Sequence, residues 1–411
     1  MFSDSLGPGW NGVTVAVLDL VAELVRTGHE VLLVAPKANL QHPAHGVTSI
    51  RLPSIRVPGI HPAIATGFGF GSCMKRLRAT SVDVVHLHGA GPVCLLGAYL
   101  SGVNRVPLVI TWHTDLDEYL PHYRYLRFAF RLWDAFVRVV CWKNSLPLSS
   151  NWSSCNKSRP LREGCGGIRA LVSRAHVVIA PSEKIAGKLR RLHPTVKIRV
   201  IPTGVHVADL AGCMPDLQAE RRSPDAPTFL YVGRVCPEKG IGLLLDAFEI
   251  ARKAVPRATL ILVGDTTMAR ALKPRLRAAH CKRDIIVVGE VHRSLLERYY
   301  RSADCFVFPS MTDTQGLVLQ EAAYHGLPII KVDGALDSFA GVDTSIVCEP
   351  TPPALAEAIV TMAEMCEDRD SLRKLTNAGR QVAAQLKVSV QVGKVIGAYG
   401  SAITEGFGGR S

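Results

Sequence analysis

Two cations follow a glycine where an apolar run ends, in the second half of the chain. Residues 229–232 form the run, Gly233 and Arg234 come directly after it, and Lys239 precedes a helical pattern at 242–254. Backbone N–H groups and the dipole at a helix N-terminus favour anions, and the two cations add to this. A diphosphate fits the pattern, although two solvated loop cations would be the ordinary interpretation of this motif alone.

Two carboxylates stand eight residues apart further along the chain. Asp313 precedes Gly316, and Glu321 belongs to a predicted helix from about Leu317 to Tyr324. We expect Asp313 in the loop and Glu321 two turns into the helix, so both can accept hydrogen bonds from one polyhydroxylated ligand. Sugar hydroxyls suit such acceptors. As an isolated pair, however, they would indicate a charge at a helix start and an exposed helix face.

Glycines near the N-terminus repeat the spacing G-x-G-x-x-G, at Gly7, Gly9 and Gly12, before an amphipathic helix predicted from about Val13. A dinucleotide fold needs a full strand before the glycines and an acid ending the next strand. Only residues 1–5 precede the glycines, and residues 34–37 carry no acid. We favour a turn that brings backbone close to another ligand over nicotinamide binding or a plain connection. The short start also suggests that the natural chain begins further upstream.

His113 follows a predicted strand of the first half, where a substrate group would lie if ligands bind at the carboxyl ends of strands. A lone histidine is more often structural, but the position of His113 after a strand favours a functional role.

The elements that position these residues alternate between short β-branched runs and longer helical patterns, which is typical of parallel sheets covered on both faces. We predict an α/β protein with two doubly wound domains, at 1–210 and 227–390, and a ligand cleft between them. A linker is expected at 211–226, a mobile insertion loop at 144–167, and a C-terminal helix and tail at 391–411 that packs toward the first domain. The strands are predicted at 30–35, 82–87, 107–112, 175–180, 198–201, 227–232, 258–263, 284–288, 303–308 and 328–332.

Composition indicates a globular protein, since 47% of the 411 residues are apolar and 20% are charged. The eleven cysteines form no C-x-x-C pair, which predicts free thiols in a reducing cytosol. Neither a membrane-spanning run nor a signal peptide is evident, so we expect a cytoplasmic protein. The net charge of +13 is compatible with nucleic acid, an anionic membrane or a phosphorylated substrate.

A basic, aromatic segment at 122–143 has amphipathic helical spacing. One stripe contains Arg124, Arg131 and Arg138, with Arg127 and Trp133 nearby, and another contains Phe128, Leu132 and Phe136. Such a helix can lie in an anionic membrane interface, or it can be an ordinary helix with its apolar side in the core.

Taken together, the motifs closely resemble those of the family-4 retaining glycosyltransferases, which have the GT-B fold of two Rossmann-like domains facing a central cleft. The resemblance extends from the N-terminal glycine turn through Gly204 to a C-terminal helix with Tyr399. The motifs that carry it are Gly12, Gly233-Arg234, Glu238-Lys239-Gly240, and an acid-x7-Glu pair followed by Gly-Leu-Pro at 326–328.

The resemblance implies retaining transfer of a hexose from a UDP- or GDP-sugar to an acceptor hydroxyl. Arg234 and Lys239 would hold the diphosphate and stabilise its departure, Asp313 would bind sugar hydroxyls, and Glu321 would bind the ribose. His113 would lie near the transferred sugar, as a further catalytic residue. Gly12, Gly233, Gly316 and Leu317 would complete the donor site. No metal or cofactor is expected, because Arg and Lys take the place of a cation, so Asp115-x-Asp117 is not interpreted as a metal site.

The sequence departs from the family pattern at three positions, Asp313 in place of Glu, Gln315 in place of Phe, and Asn11 in place of Gly. These leave the transferred sugar open. The stretches 113–119 and 312–316 look most like the glycolipid-forming members, the diacylglycerol glucosyltransferases, α-mannosyltransferases and sulfoquinovosyltransferases. We therefore favour a lipid acceptor and a peripheral position on the inner face of the membrane.

Other functions compatible with the sequence are transfer to a soluble sugar, a GT-B sugar-nucleotide epimerase, a dehydrogenase, and an inactive basic protein that binds a membrane or nucleic acid. We expect no nucleic-acid partner. The donor base and the oligomeric state are left open.

Overall fold

The computed structural model describes residues 1–6, 12–37, 46–55, 64–65, 69–115, 118, 131–137, 166–205, 226–266, 284–336, 345–366 and 368–408. The chain divides into two compact units, the first made of Met1–Gly204 and Val388–Ser411 and the second of Val205–Lys387. The predicted linker at 211–226 and the insertion at 144–167 lie almost wholly outside the described residues. Gly166 and Gly167, which we had placed in the insertion, begin a helix instead.

The first unit contains a parallel sheet that is joined by the N-terminus. Its strands are β1 (Leu32–Pro36), β2 (Thr48–Leu52), β5 (Val85–Leu87), β6 (Leu108–Thr111), β7 (Val177–Ala180) and β8 (Ile198–Val200). Phe2 bridges Val34 of β1 and Leu87 of β5, which gives the order β2-β1-Phe2-β5-β6-β7-β8. The few residues before the glycine turn thus occupy the place of a central strand. A short antiparallel pair, β3 (Ser54–Ile55) and β4 (Ile64–Ala65), completes the strands described in this unit.

Helices cover both faces of this sheet. They include α1 (Gly12–Arg26), α2 (Phe70–Arg78), α3 (Pro92–Asn104), α4 (Gly166–Val172), α5 (Glu183–Leu192) and, from the far end of the chain, α11 (Val388–Gly408). One face packs on α2 and α3, and the other on α1 and α11. The C-terminal helix begins at Val388, three residues before the predicted boundary, and its Val392, Val395 and Ala398 are buried in the core of the first unit.

The second unit contains a six-stranded, fully parallel sheet. Its order is β11-β10-β9-β12-β13-β14. The strands are β9 (Thr228–Val232), β10 (Thr259–Val263), β11 (Ile285–Gly289), β12 (Cys305–Phe308), β13 (Ile329–Lys331) and β14 (Ser345–Val347). The chain runs outward from β9 to β11 and then returns to β12 beside β9. The topological switch point, where ligands bind in sheets of this kind, therefore lies between β9 and β12.

Five helices are described in the second unit: α6 (Ile241–Ala251), α7 (Arg293–Ser302), α8 (Leu317–Tyr324), α9 (Pro352–Met365) and α10 (Arg369–Gln385). Two apolar clusters, one on each face of the sheet, form its core. The predicted α/β class is confirmed, and all ten predicted strands are present. Strands β2, β3, β4 and β14 had not been predicted.

Candidate active site

The loop after β9 begins with a glycine that no larger residue could replace without strain. Gly233 has φ 148°, and a Cβ there would lie 2.7 Å from the hydroxyl oxygen of Tyr231. That hydroxyl donates a hydrogen bond of 2.9 Å to the carbonyl of Arg234. The side chain of Arg234 in turn places Nη2 3.0 Å from Oε1 of Glu238, whose side chain is 1% exposed. A buried carboxylate therefore orients the guanidinium.

The loops after β9 and β12 are in close contact because their strands are neighbours. Residues Pro237–Lys239 form a 3-10 turn that ends at Gly240, with φ 71°. A Cβ on Gly240 would lie 2.0 Å from the carbonyl oxygen of Pro309. The hydroxyl of Thr312 donates to the carbonyl of Glu238 at 3.2 Å. These contacts fix the cationic loop against the loop that carries the first carboxylate.

Lys239 and Asp313 form an ion pair across the two loops. Nζ of Lys239 lies 2.6 Å from Oδ1 of Asp313, and the two side chains are 17% and 20% exposed. Burial by itself would raise the pKa of Asp313, but the charge and hydrogen bond of Lys239, helped by Ser310 and Arg234, hold that pKa below its ordinary value. Asp313 is therefore a carboxylate at neutral pH.

Glu321 lies on α8, which begins after Gly316, itself at φ 73°. It is the fifth residue of the helix, so it lies about one turn in, rather than the two turns expected from the sequence. Tyr300 donates a hydrogen bond of 2.8 Å to Oε2, and Nη2 of Arg293 lies 4.0 Å from Oε1. Burial and the neighbouring Glu321 raise the pKa of Tyr300, which keeps its hydroxyl protonated as a donor.

His113 lies just after β6 in the first unit, in contact with a second histidine. Its Nε2 is 3.0 Å from Nδ1 of His88, which follows β5 directly. Burial lowers the pKa of His113 to about 4 and that of His88 well below its usual range. Both rings are therefore neutral near pH 7. Gly12, by contrast, is placed only as the first residue of α1, and Gly7 and Gly9 lie outside the described residues.

A third histidine lies behind this pair. Nδ1 of His86 is 2.8 Å from the hydroxyl of Tyr399 on α11, and its Nε2 is 2.7 Å from the hydroxyl of Thr111. The rings of His86 and His88 have centroids 4.1 Å apart. The C-terminal helix thus contributes a side chain to the histidine cluster of the first unit.

The structure describes only the first of the two aspartates that have the D-x-D spacing. Asp115 is buried and forms an ion pair with Lys188 of α5. Asp117 lies outside the described residues. Among the residues that are described, no group of three or more His, Cys, Asp or Glu side chains could hold a metal ion.

Helical residues 131–137 are the part of the basic segment that the structure describes. Leu132 and Phe136 are 58% and 51% exposed, and Arg131 is exposed beside them. Trp133, which we had assigned to a membrane surface, instead packs inward and donates from Nε1 to the carbonyl of Ala90 at 3.0 Å. That assignment is corrected, because the inward face of the helix carries Trp133 and Val137. Arg124, Arg127 and Arg138 lie outside the described residues.

The structure therefore brings Arg234, Lys239 and Asp313 together, with Glu321 further along the same loop and helix. Sequence reasoning assigned no role to several residues that hold these groups. Glu238 was noted only as part of a motif, although an acid between the cations Arg234 and Lys239 was a signal that the sequence offered. The H-x-H spacing at 86 and 88, which puts both side chains on one face of a strand, was another. Tyr300 and Arg293 gave no signal, because they meet Glu321 only through the fold.

Comparisons with known proteins agree with this geometry. Residues 226–365 match the family model "Glycosyl transferases group 1", and residues 10–144 match "Glycosyltransferase Family 4". An alpha-monoglucosyldiacylglycerol synthase of Acholeplasma laidlawii is 26% identical over 82% of this chain and 81% of its own length. A GDP-mannose-dependent alpha-mannosyltransferase of Mycolicibacterium smegmatis is 29% identical over 84% of this chain and 83% of its own. The solved structure of Anabaena HepE with UDP and glucose has TM-score 0.66 and 16% identity, covering 97% and 98% of the two chains.

Two Rossmann-like units, with cations and carboxylates at the switch point of the second, define the GT-B class of glycosyltransferases. The chain belongs to family 4 of this class, and it is an enzyme that transfers a sugar. The family resemblance and the GT-B fold inferred from the sequence are confirmed. Among the described residues, no helix has the length and apolar character needed to cross a bilayer.

Proposed function

We propose that this enzyme transfers a hexose of the glucose or mannose type from a nucleotide diphosphate sugar to a hydroxyl of a membrane glycolipid precursor. The observation that carries this proposal is the cluster of Arg234, Lys239 and Asp313 at the carboxyl ends of β9 and β12. Two cations beside a sugar-binding carboxylate fit a diphosphate joined to a sugar. The names of the relatives supply the glucosyl and mannosyl classes and the lipid acceptor.

In the donor site, Arg234 and Lys239 bind the diphosphate, and Asp313 accepts hydrogen bonds from hydroxyls of the sugar. Glu321 accepts hydrogen bonds from the ribose hydroxyls. The hydrogen bond that Tyr300 donates to Glu321 supports the orientation of this carboxylate. We assign to the same site Gly233, which follows β9, and Gly316 and Leu317, which lie at the start of α8. From the first unit, we assign Gly12, at the start of α1, to donor binding and His113 to the transferred sugar.

During transfer, negative charge develops on the departing diphosphate as the glycosidic bond lengthens. Arg234 and Lys239 therefore stabilise the transition state more than the bound donor, which is what lowers the barrier. They take the role that a metal ion has in other glycosyltransferases, so we infer a metal-independent enzyme. We also infer retention at the anomeric carbon by a front-face route, in which the departing phosphate accepts the proton of the acceptor hydroxyl. His113 orients the sugar or polarises a hydroxyl.

The lipid acceptor is supported by the exposed side of the helical residues 131–137. Leu132 and Phe136 expose apolar surface beside Arg131, on a chain with net charge +13. This combination favours an anionic membrane interface, where the apolar side chains enter the lipid and the cations meet the headgroups. The enzyme would then act as a peripheral protein on the cytoplasmic membrane surface.

The donor half of the proposal is tested by thermal unfolding with UDP, GDP and their glucose and mannose conjugates, without metal. A donor at 100 times its dissociation constant adds about 2.7 kcal/mol of stability. We expect one base to stabilise the wild type and Glu321→Ala to lose the effect. Glu297→Ala is the matched control, because Glu297 pairs with Arg301 on the surface of the same unit. No stabilisation of folded wild type by any of these compounds would refute the donor site.

Sugar transfer is tested with the donor that stabilises the enzyme, and with diacylglycerol vesicles or free sugars as acceptors. We expect a glycolipid product and a loss of roughly 10² to 10³ in rate for Lys239→Ala, as for the removal of one strong oxyanion donor. Arg252→Ala is the matched control, since Arg252 pairs with Asp284 elsewhere in this unit. A product formed only with free sugars would overturn the lipid acceptor, and an altered sugar formed from the donor alone would indicate an epimerase.

A further inference from the structure

His88 holds the ring of His113 at the carboxyl edge of the first sheet. The two nitrogens, Nδ1 of His88 and Nε2 of His113, are 3.0 Å apart. The rings are stacked at 23°, with centroids 5.3 Å apart. His88 is only 2% exposed, whereas His113 is partly exposed. The buried member of the pair is thus in a position to control the member that faces outward.

A hydrogen bond between two neutral imidazoles needs a proton on one nitrogen and a lone pair on the other, so two arrangements satisfy the distance. In the first, His88 donates from Nδ1 and its Nε2 has only a lone pair. In the second, His88 accepts at Nδ1 and carries its proton on Nε2.

The surroundings of Nε2 of His88 distinguish the two arrangements. This atom is buried and, within the part of the chain that the structure describes, it has no hydrogen-bond partner. A buried N–H without an acceptor is rarer in proteins than an incompletely satisfied acceptor. The first arrangement avoids the orphaned donor. Burial also lowers the pKa of both histidines, so both are neutral at physiological pH, as a hydrogen bond of this kind requires.

We propose that His88 is a positioning residue that donates from Nδ1 to Nε2 of His113 and thereby fixes His113 as the tautomer with its proton on Nδ1. This deepens the proposed function and rests on it in so far as His113 meets the substrate. It has a chemical consequence, since His113 then offers an N–H donor from Nδ1 to a hydroxyl or developing oxyanion. His113 does not act as the base, because its lone pair is directed at His88.

The ring of His88 is held from behind. His86 packs against it at 4.1 Å between centroids, and both nitrogens of His86 are engaged, by Tyr399 and by Thr111. The backbone N–H of His88 donates to the carbonyl of Phe2 at 2.9 Å. Because its neighbours are themselves fixed, His88 can hold His113 in one orientation.

The test reads the tautomer directly, by ¹⁵N NMR of full-length protein labelled at histidine, with His113 assigned by the loss of its signals in His113→Asn. Protonated and unprotonated ring nitrogens have separate signals in a neutral imidazole. We expect Nδ1 of His113 to be protonated in the wild type. His88→Phe removes the donor and should redistribute the proton, whereas His88→Asn places an amide donor near the lost Nδ1 and should restore it. His193→Phe, which removes another buried histidine of this unit, should leave His113 unchanged.

Activity supplies the second readout. His88→Phe should lower kcat by roughly 10²-fold, with little change in the KM for the donor, because the ring is misplaced rather than removed. His88→Asn should recover most of the loss. Protonation of His113 on Nε2 in the wild type would overturn the proposal, as would an unchanged tautomer in folded His88→Phe. The wild-type tautomer is measured without turnover, so a failure of the proposed function is recognised separately, by absence of transfer in the wild type.

Discussion

Lys239 is paired with Asp313 at 2.6 Å, so the cation assigned to the donor diphosphate already has a carboxylate partner before any donor binds. A donor must therefore compete with Asp313 for the ammonium. The sugar of the donor eases this competition, since its hydroxyls offer Asp313 other partners. The ion pair should favour nucleotides that carry a sugar over bare nucleoside diphosphates.

Asp313→Asn tests this relationship. Removing the negative charge releases Lys239, so the bare nucleoside diphosphate should bind roughly 5- to 10-fold more tightly, equivalent to about 1 kcal/mol. The sugar conjugate should lose that advantage, and transfer should slow. Titration calorimetry with both ligands measures the two affinities. Asp284→Asn, which removes the carboxylate of another ion pair in the same unit, should change neither. Weaker binding of the bare diphosphate by Asp313→Asn would contradict the competition.

Tyr300→Phe should weaken nucleotide binding through Glu321. Loss of the 2.8 Å hydrogen bond frees the carboxylate to rotate, and a hydrogen bond to a charged group is worth about 1.5 kcal/mol, or roughly tenfold in Kd. Calorimetric titration with the nucleoside diphosphate measures the change. The neighbouring Tyr299→Phe is the control. Equal affinities for Tyr300→Phe and wild type would show that Glu321 is oriented by other contacts.

Gly240→Ala should destabilise the second unit severely. The alanine would take φ 71° and bring its Cβ to 2.0 Å from the carbonyl oxygen of Pro309, so it meets both backbone strain and a clash. Gly289→Ala is matched, because Gly289 has φ 87° but open space around a Cβ, and it should cost only about 1 to 2 kcal/mol. Urea unfolding measures both. The idea fails if the two variants lose the same stability.

Leu132→Ser with Phe136→Ser should reduce binding to anionic vesicles. Both side chains are more than half exposed, and their removal takes apolar surface from the proposed membrane contact. Flotation with anionic and zwitterionic vesicles measures binding. Ile250→Ser, at a residue 40% exposed on α6 of the other unit, is the matched control. Undiminished flotation of the double variant would exclude this face as the membrane contact.

The free energy of unfolding should fall as the pH drops from 6.5 toward 4, partly because of His193. Burial lowers the pKa of this histidine from 6.5 to about 4, so in that window the unfolded chain binds a proton that the folded chain does not. Stability therefore rises with pH there. His193 should account for about 2 kcal/mol of the difference between pH 5 and pH 7.5. His193→Asn should flatten the profile measured by urea unfolding, and the exposed His29→Asn should not. Parallel profiles for wild type and His193→Asn would refute the assignment.

The regular strands were accessible from the sequence because buried parallel strands are continuous β-branched runs, as in residues 259–263. The missed strands lack this signal. Each of β3 and β4 has two residues, and β14 has three that are only partly buried or exposed. Their assignment depends on pairing with a neighbour, which no local pattern records.

The residues of the candidate site also differ in whether the sequence alone could reveal their role. Arg234, Lys239, Asp313 and Glu321 stand in local motifs, so their chemistry could be inferred from residue type and spacing. The contact of His88 with His113 joins residues 25 positions apart and follows from the parallel register of β5 and β6, with Leu87 opposite Ile110. Local spacing cannot supply that register.

The return of α11 to the first unit has a consequence for synthesis of the chain. The second unit is one continuous segment, Val205–Lys387, and can fold as soon as it has emerged from the ribosome. The first unit must wait for Val392, Val395 and Ala398, which complete the cover that α1 begins on one face of its sheet. Domains usually fold in the order in which they are made, but here the unit begun first is completed last. Until then, the nascent chain exposes the apolar part of this face that α11 covers in the finished protein, and a chaperone would recognise such a surface.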